Sequence, residues 1–134
     1  MFANFDYSTF PVVLVDLSGT INNDIQFTHF TENWLKLYIQ KQDFIFVFDT
    51  TNVSNVPIKY SFRMVEFIKE IKKQEYHYLQ KSIILIHNSF VKEMLNLILN
   101  LQSPVAPVYL VNNEDEINLI INNGDISNII CINP

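Results

Sequence analysis

The chain alternates short, nearly continuous apolar runs with segments that repeat apolar residues at helical spacing. The runs have the length of β-strands and cover residues 11–17, 44–48, 82–87 and 108–111. A run that is apolar at almost every position suits a strand covered on both faces, as in a parallel sheet between helices. The alternation therefore predicts an α/β fold with a parallel core and right-handed crossovers.

Four segments between and after these runs have the pattern of amphipathic helices. They are residues 28–41, 57–76, 90–101 and a shorter one that begins after Asn113. Pro57 suits a first helical turn, and Asn88 with Ser89 can cap the third helix. Asn123-Gly124 is a typical helix end, so the fourth helix is expected to stop there.

The two ends of the chain predict further strands. Residues 2–7 alternate apolar and polar side chains, which favours an edge strand, and residues 126–132 suit a last strand or a docked tail. A length of 134 residues is typical of one domain. We expect a single α/β domain over residues 1–134, with a mixed, mostly parallel β-sheet of four to six strands packed with about four helices.

Composition and charge exclude several classes of protein. Hydrophobic residues make up 49% and charged residues 17%, which rules out a disordered chain. The net charge of −5 makes nucleic acid an unfavourable partner. The apolar runs are shorter than the roughly 20 residues of a membrane span, and the first residues form no basic leader. We therefore expect a cytoplasmic protein that is not transmembrane.

Cysteine usage predicts neither a disulfide nor a metal site. Cys131 is the only cysteine, and the chain shows no metal-ligand spacing. We expect Cys131 to be a small buried side chain. We also expect no metal ion and no cofactor.

One sequence segment resembles a phosphatase motif. Asp16-Leu17-Ser18-Gly19-Thr20, at the predicted end of the first core strand, is similar to the nucleophile motif of haloacid-dehalogenase-like phosphatases. The resemblance implies that Asp16 attacks phosphorus and that Lys81 neutralises the phosphoryl group. It further implies that Thr51 or Ser89 holds the phosphoryl group and that Asp115 holds a magnesium ion. Ser18 replaces the acid/base aspartate of the family, and a serine is a weak general acid.

The layout from about residue 12 to residue 122 resembles the STAS domain, the fold of sulfate-transporter and anti-sigma-factor-antagonist proteins. Residues 12–21 are similar to its opening strand and turn, and residues 44–56 to its central strand. The resemblance implies docking to a partner protein. Bacterial switch members carry a phosphorylated serine in the next loop, where this chain reads Pro57-Ile58-Lys59-Tyr60. The resemblance therefore does not imply that a kinase regulates docking by phosphorylating a serine in this loop.

A second resemblance points to lipid binding. Residues 79–90, followed by the apolar helix 90–101, are similar to the strand-to-helix segment of CRAL-TRIO lipid-binding domains. The resemblance implies a lipid pocket beneath that helix. The alternative is that the helix simply covers the sheet, as aliphatic helices usually do.

These observations favour a non-catalytic STAS-like module that acts by protein docking or by binding a small apolar ligand or lipid. The partner would be another protein, including a second copy of the chain, or the ligand itself. Segment 57–76 holds five basic and three acidic residues, and the loop and helix start over residues 52–63 are expected to be the most exposed candidate surface. The predicted binding residues are Asn52, Ser54, Asn55, Lys59, Arg63 and, at the carboxyl edge of a strand, His87. Phosphatase activity through Asp16 and Lys81 is the catalytic alternative.

Overall fold

Four parallel strands form the centre of a six-stranded sheet in the computed structural model, which describes residues 1–134. The elements follow the chain as β1 (Ala3–Asp6), β2 (Val12–Thr20), α1 (Asp24–Ile39), β3 (Phe44–Asn55), α2 (Ile58–Lys72), β4 (Leu79–Leu85), α3 (Ser89–Leu101), β5 (Val108–Val111), α4 (Glu114–Ile121) and β6 (Ile130–Ile132). The strands lie side by side in chain order, with β1 and β6 antiparallel at the edges. The predicted α/β class, with a mostly parallel sheet and four helices, is confirmed.

The side chains of the sheet separate into two faces because successive residues of a strand point to opposite sides. One face carries Val15, Phe46 and Leu110 and packs against α1, α2 and α3. The other carries Val47 and Ile83 and packs against α4 and residues 126–129. The first three helices share a face because each right-handed crossover steps the same way along the sheet.

Asparagine side chains begin three of the four helices. Asn23, Asn88 and Asn113 each accept a hydrogen bond from a backbone N–H in the first turn, at 3.1, 2.8 and 2.9 Å. Such caps satisfy amide groups that a helix start leaves without partners. The predicted caps at Asn88 and Asn113 are confirmed, whereas α2 begins at Pro57 with no side-chain cap.

Strands β2 and β3 are longer than the sequence predicts. The predicted ends at Ser18-Gly19 and at Asp49 are wrong, because the two strands stay paired from Val12–Ile45 to Thr20–Asn55. Register shifts interrupt this ladder. Gly19 lies at one of them with a φ of +76°, a backbone conformation that glycine adopts more readily than other residues. Thr51, Asn52, Ser54 and Asn55 of this extension are exposed, whereas Thr50 is buried.

The last residues complete the sheet. Residues Ile130–Ile132 form strand β6, which pairs with β5. Of the two alternatives for the last segment, a strand or a docked tail, the strand is therefore the one observed. The prediction that Cys131 is buried is wrong: Cys131 is exposed, because it lies on the strand at the edge of the sheet. None of the four helices has both the length and the apolar composition needed to cross a membrane.

Candidate functional site

An apolar cavity lies between the helix-covered face of the sheet and helices α2 and α3. Its volume is about 150 Å³, and 21 of its 25 lining residues are hydrophobic. Helix α3 contributes Val91, Met94, Leu95, Ile98 and Leu99 to this lining. The cavity therefore lies directly beneath the apolar helix that the sequence singled out.

Four small side chains leave this space open. Thr50 and Ser82 are buried on the helix-covered face of β3 and β4, where the neighbouring inward positions are large apolar residues. Ser61 lies on the buried face of α2, and Ala106 precedes β5. Protein interiors are close-packed, so small side chains that face one another from several elements leave a space that their neighbours do not fill.

The polar groups of the cavity are hydroxyls, and no charged side chain lines it. The Thr50 Oγ1 donates to the backbone carbonyl of Leu85 at 2.6 Å, so its proton is already committed. The Tyr60 hydroxyl donates to Asp24 at 2.9 Å, and Ser61 and Ser82, which are 3% and 5% exposed, supply the remaining two hydroxyls of the lining. The arrangement suits the binding of apolar groups with at most one or two hydrogen bonds.

Trp34 forms one wall of the cavity and belongs to an aromatic cluster. Its ring centroid lies 4.8 Å from that of Phe46 and 5.8 Å from that of Phe30. The Trp34 Nε1 donates to the hydroxyl of Tyr38 at 3.3 Å, and burial raises the pKa of Tyr38 while this hydrogen bond opposes the rise. Because Trp34 is the only tryptophan, tryptophan fluorescence reports on this one position in the cavity wall.

A polar clasp joins the starts of α1 and α2 beside the cavity. Asp24 accepts hydrogen bonds from the Tyr60 hydroxyl and from Arg63 Nη1, both at 2.9 Å, and Lys59 Nζ lies 4.0 Å away. The Arg63 guanidinium also lies 4.7 Å from the ring centroid of Phe27, within cation–π range. Lys59 and Arg63, predicted to meet a partner, thus contact Asp24 of their own chain. The sequence showed no sign of this clasp.

The other predicted binding residues lie at the same end of the sheet. Asn52, Ser54 and Asn55 are exposed, and they belong to the extension of β3 rather than to a loop. His87 is exposed two residues after the end of β4. All four are available to a partner, since none of their side chains forms a hydrogen bond within the chain.

The two residues of the phosphatase alternative lie far apart. Asp16 is exposed in the middle of β2, not at its end, and faces Asp49 across the ladder. Lys81 pairs with Ile45, four positions before Asp49, which is about 13 Å along the strand. Its Nζ lies 3.5 Å from the carbonyl of Ile120, under α4. The structure does not bring Asp16 and Lys81 into one site, and no three acidic, histidine or cysteine side chains cluster as metal ligands would.

Comparison with known proteins identifies no family, so the function has to be argued from the geometry of the site. A scan against models of known families finds no match for this chain, and a search of curated proteins finds no relative. The sequence predicted a pocket beneath the helix of residues 90–101, but it did not identify the small side chains that leave the cavity open. The signal for it lies in Ser61, Ser82 and Ala106, small residues at otherwise apolar, inward positions.

Proposed function

We propose that this protein is a non-catalytic binding module that holds a small apolar ligand in the cavity beneath α3. The observation that carries the proposal is the cavity of about 150 Å³ with its almost wholly hydrophobic lining. This is the ligand-binding role that the sequence pattern of residues 79–101 suggested. The role requires no catalytic group, and no acidic, basic or histidine side chain lines the cavity.

The size of the cavity limits the ligand. Apolar cavities of about 150 Å³ stay dry and take up molecules as small as benzene or xenon. Pockets for drug-sized ligands are larger, roughly 300–1,000 Å³. Two methionines, Met64 and Met94, belong to the wall, and their unbranched side chains can adapt to a guest of slightly different shape. A ligand of about ten non-hydrogen atoms or fewer is the best match to this volume.

Binding of small apolar probes tests the proposal directly. We expect benzene and 1-octanol to change Trp34 fluorescence and to stabilise the fold by about 2.7 kcal/mol at a ligand concentration of 100 times Kd. The Ala106→Leu variant, which fills part of the cavity, should weaken binding at least tenfold. The matched core change Ile83→Val lies on the opposite face of the sheet and should leave binding unchanged. Absence of any probe binding would refute the proposal.

Docking of another protein on α2 is a second candidate, favoured by exposed apolar residues there. Ile58 and Phe62 lie one turn apart and are 63% and 48% exposed, beside Lys59 and Arg63. The STAS-like pattern of the sequence implies a docking role for this region. Charge reversal at Lys59 and Arg63 would also break their contacts to Asp24. Substitution of the exposed apolar residues therefore tests docking without disturbing contacts within the chain.

Sedimentation velocity tests docking of a second copy on this surface. We expect the wild-type protein to form a concentration-dependent dimer and Ile58→Ser with Phe62→Ser to remain monomeric. Lys92→Ser, an exposed change on α3, is the control that should leave the dimer intact. Wild-type protein that stays monomeric at hundreds of micromolar would exclude self-docking through α2.

A further inference from the structure

We propose that the ligand of the cavity is an uncharged linear amphiphile, an alkyl chain with one polar group of the alcohol or amide class. The inference rests on the proposed function, because it names the ligand of the same cavity. Three properties of the wall support it: its lack of charge, its extent along the strands, and the placement of its hydroxyls.

The wall excludes a charged ligand. None of its 25 residues is acidic, basic or histidine. A carboxylate placed there would lose its hydration without gaining a counter-ion, which is strongly unfavourable. Three of the basic side chains adjacent in the chain to this wall are used elsewhere, since Lys59 and Arg63 contact Asp24, and Lys81 reaches toward Ile120 under α4. Fatty-acid anions are therefore poor guests.

The wall is extended along the sheet. Ser82 pairs with Phe46, and Thr50 lies four residues further along β3. Both line the cavity, so its wall covers about 13 Å along the strand direction. A volume of only about 150 Å³ spread over that length is narrow. A narrow, extended space fits a chain better than a ring.

The hydroxyls provide for a single polar group. Thr50 donates to the carbonyl of Leu85 and Tyr60 donates to Asp24, which leaves Ser61 on α2 and Ser82 on β4 as the available donors. A hydroxyl both donates and accepts, so it can pair with an alcohol, an amide or an ester carbonyl. A ligand with several polar groups would leave most of them unpaired against apolar walls.

Four probes of known chemistry separate these properties at pH 7. We expect 1-octanol and octanamide to bind and octanoate, which differs from octanamide mainly in charge, to bind at least 100-fold more weakly. Octanoate affinity within tenfold of octanamide would overturn the exclusion of charge. Benzene that binds more tightly than 1-octanol would overturn the linear shape. Failure of all four probes to bind would refute the proposed function itself, not merely the choice of ligand.

The serine variants test the polar contact without disturbing the fold. Ser61→Ala and Ser82→Ala together should lower 1-octanol affinity about two- to tenfold, the loss expected for one hydrogen bond. Octane, which has no polar group, should bind both proteins within twofold. An equal loss for octane and 1-octanol would show that the hydroxyls only shape the cavity, and unchanged 1-octanol affinity would show that they make no contact.

Discussion

Replacement of Phe46 by alanine should lower the free energy of unfolding by about 3–5 kcal/mol. Phe46 is fully buried on β3, and its ring lies 4.8 Å from Trp34, 4.8 Å from Phe48 and 5.2 Å from Phe44, centroid to centroid. Truncation would remove all these contacts and leave a void that neighbouring rings cannot fill. Because a domain has only about 5–15 kcal/mol of stability, this loss is large. Urea unfolding followed by circular dichroism measures it.

Phe62→Ala is the matched control for this variant. The same side chain is removed, but Phe62 is 48% exposed on the outer side of α2. Alanine is also the better helix former, so we expect a change below about 1 kcal/mol. Similar losses for the two variants would mean that Phe46 does not occupy the centre of the core as described.

The two alanines of the chain should respond in opposite directions to the same substitution. Ala106 lines the cavity, whereas Ala3 is fully buried on β1 outside it. Ala106→Leu places three more carbon atoms in empty space and should stabilise the fold by up to about 2 kcal/mol. Ala3→Leu forces the same atoms into a packed region and should destabilise it by about 1–3 kcal/mol.

The comparison of these two variants tests the cavity in the absence of any ligand. Urea midpoints of both variants and of the wild type, at equal protein concentration, give the two changes in stability. Destabilisation of the same size in both would indicate that the space around Ala106 is already filled. The opposite signs cannot arise from hydrophobicity alone, because the substitution is identical.

The sequence predicts the centre of this fold better than its margins. Residues 108–111 were predicted as a strand with the bounds that β5 has, because a short apolar run between Pro107 and Asn112 allows few alternatives. Helix α1 was predicted to start at about residue 28 but starts at Asp24, since the Asn23 cap and the acidic Asp24 stabilise a first turn that lies before most of the apolar repeat. Local patterns identify buried elements well and solvent-facing ends poorly.

The candidate site could be predicted only in part, because it depends on contacts between elements that are distant in the chain. The apolar character of α3 was evident in the sequence, but a cavity depends on how side chains from distant elements meet, such as Ser61 on α2 and Ser82 on β4. The clasp of Asp24 with Arg63 joins residues 39 positions apart. No local pattern encodes such a pair, so the use of Arg63 within its own chain could not be foreseen.

The chain-order arrangement of the strands has a consequence for how the protein is made. Every strand of the sheet pairs with the strand that precedes it in the chain, so no strand has to wait for a later one to be inserted beside it. Pairing between consecutive strands keeps the sequence separation of contacts smaller than an order with skipped strands would, and a lower contact order favours faster folding. As the chain leaves the ribosome, each new strand and helix can add to a surface that already exists. Growth of the sheet from the amino end thus follows the order of synthesis.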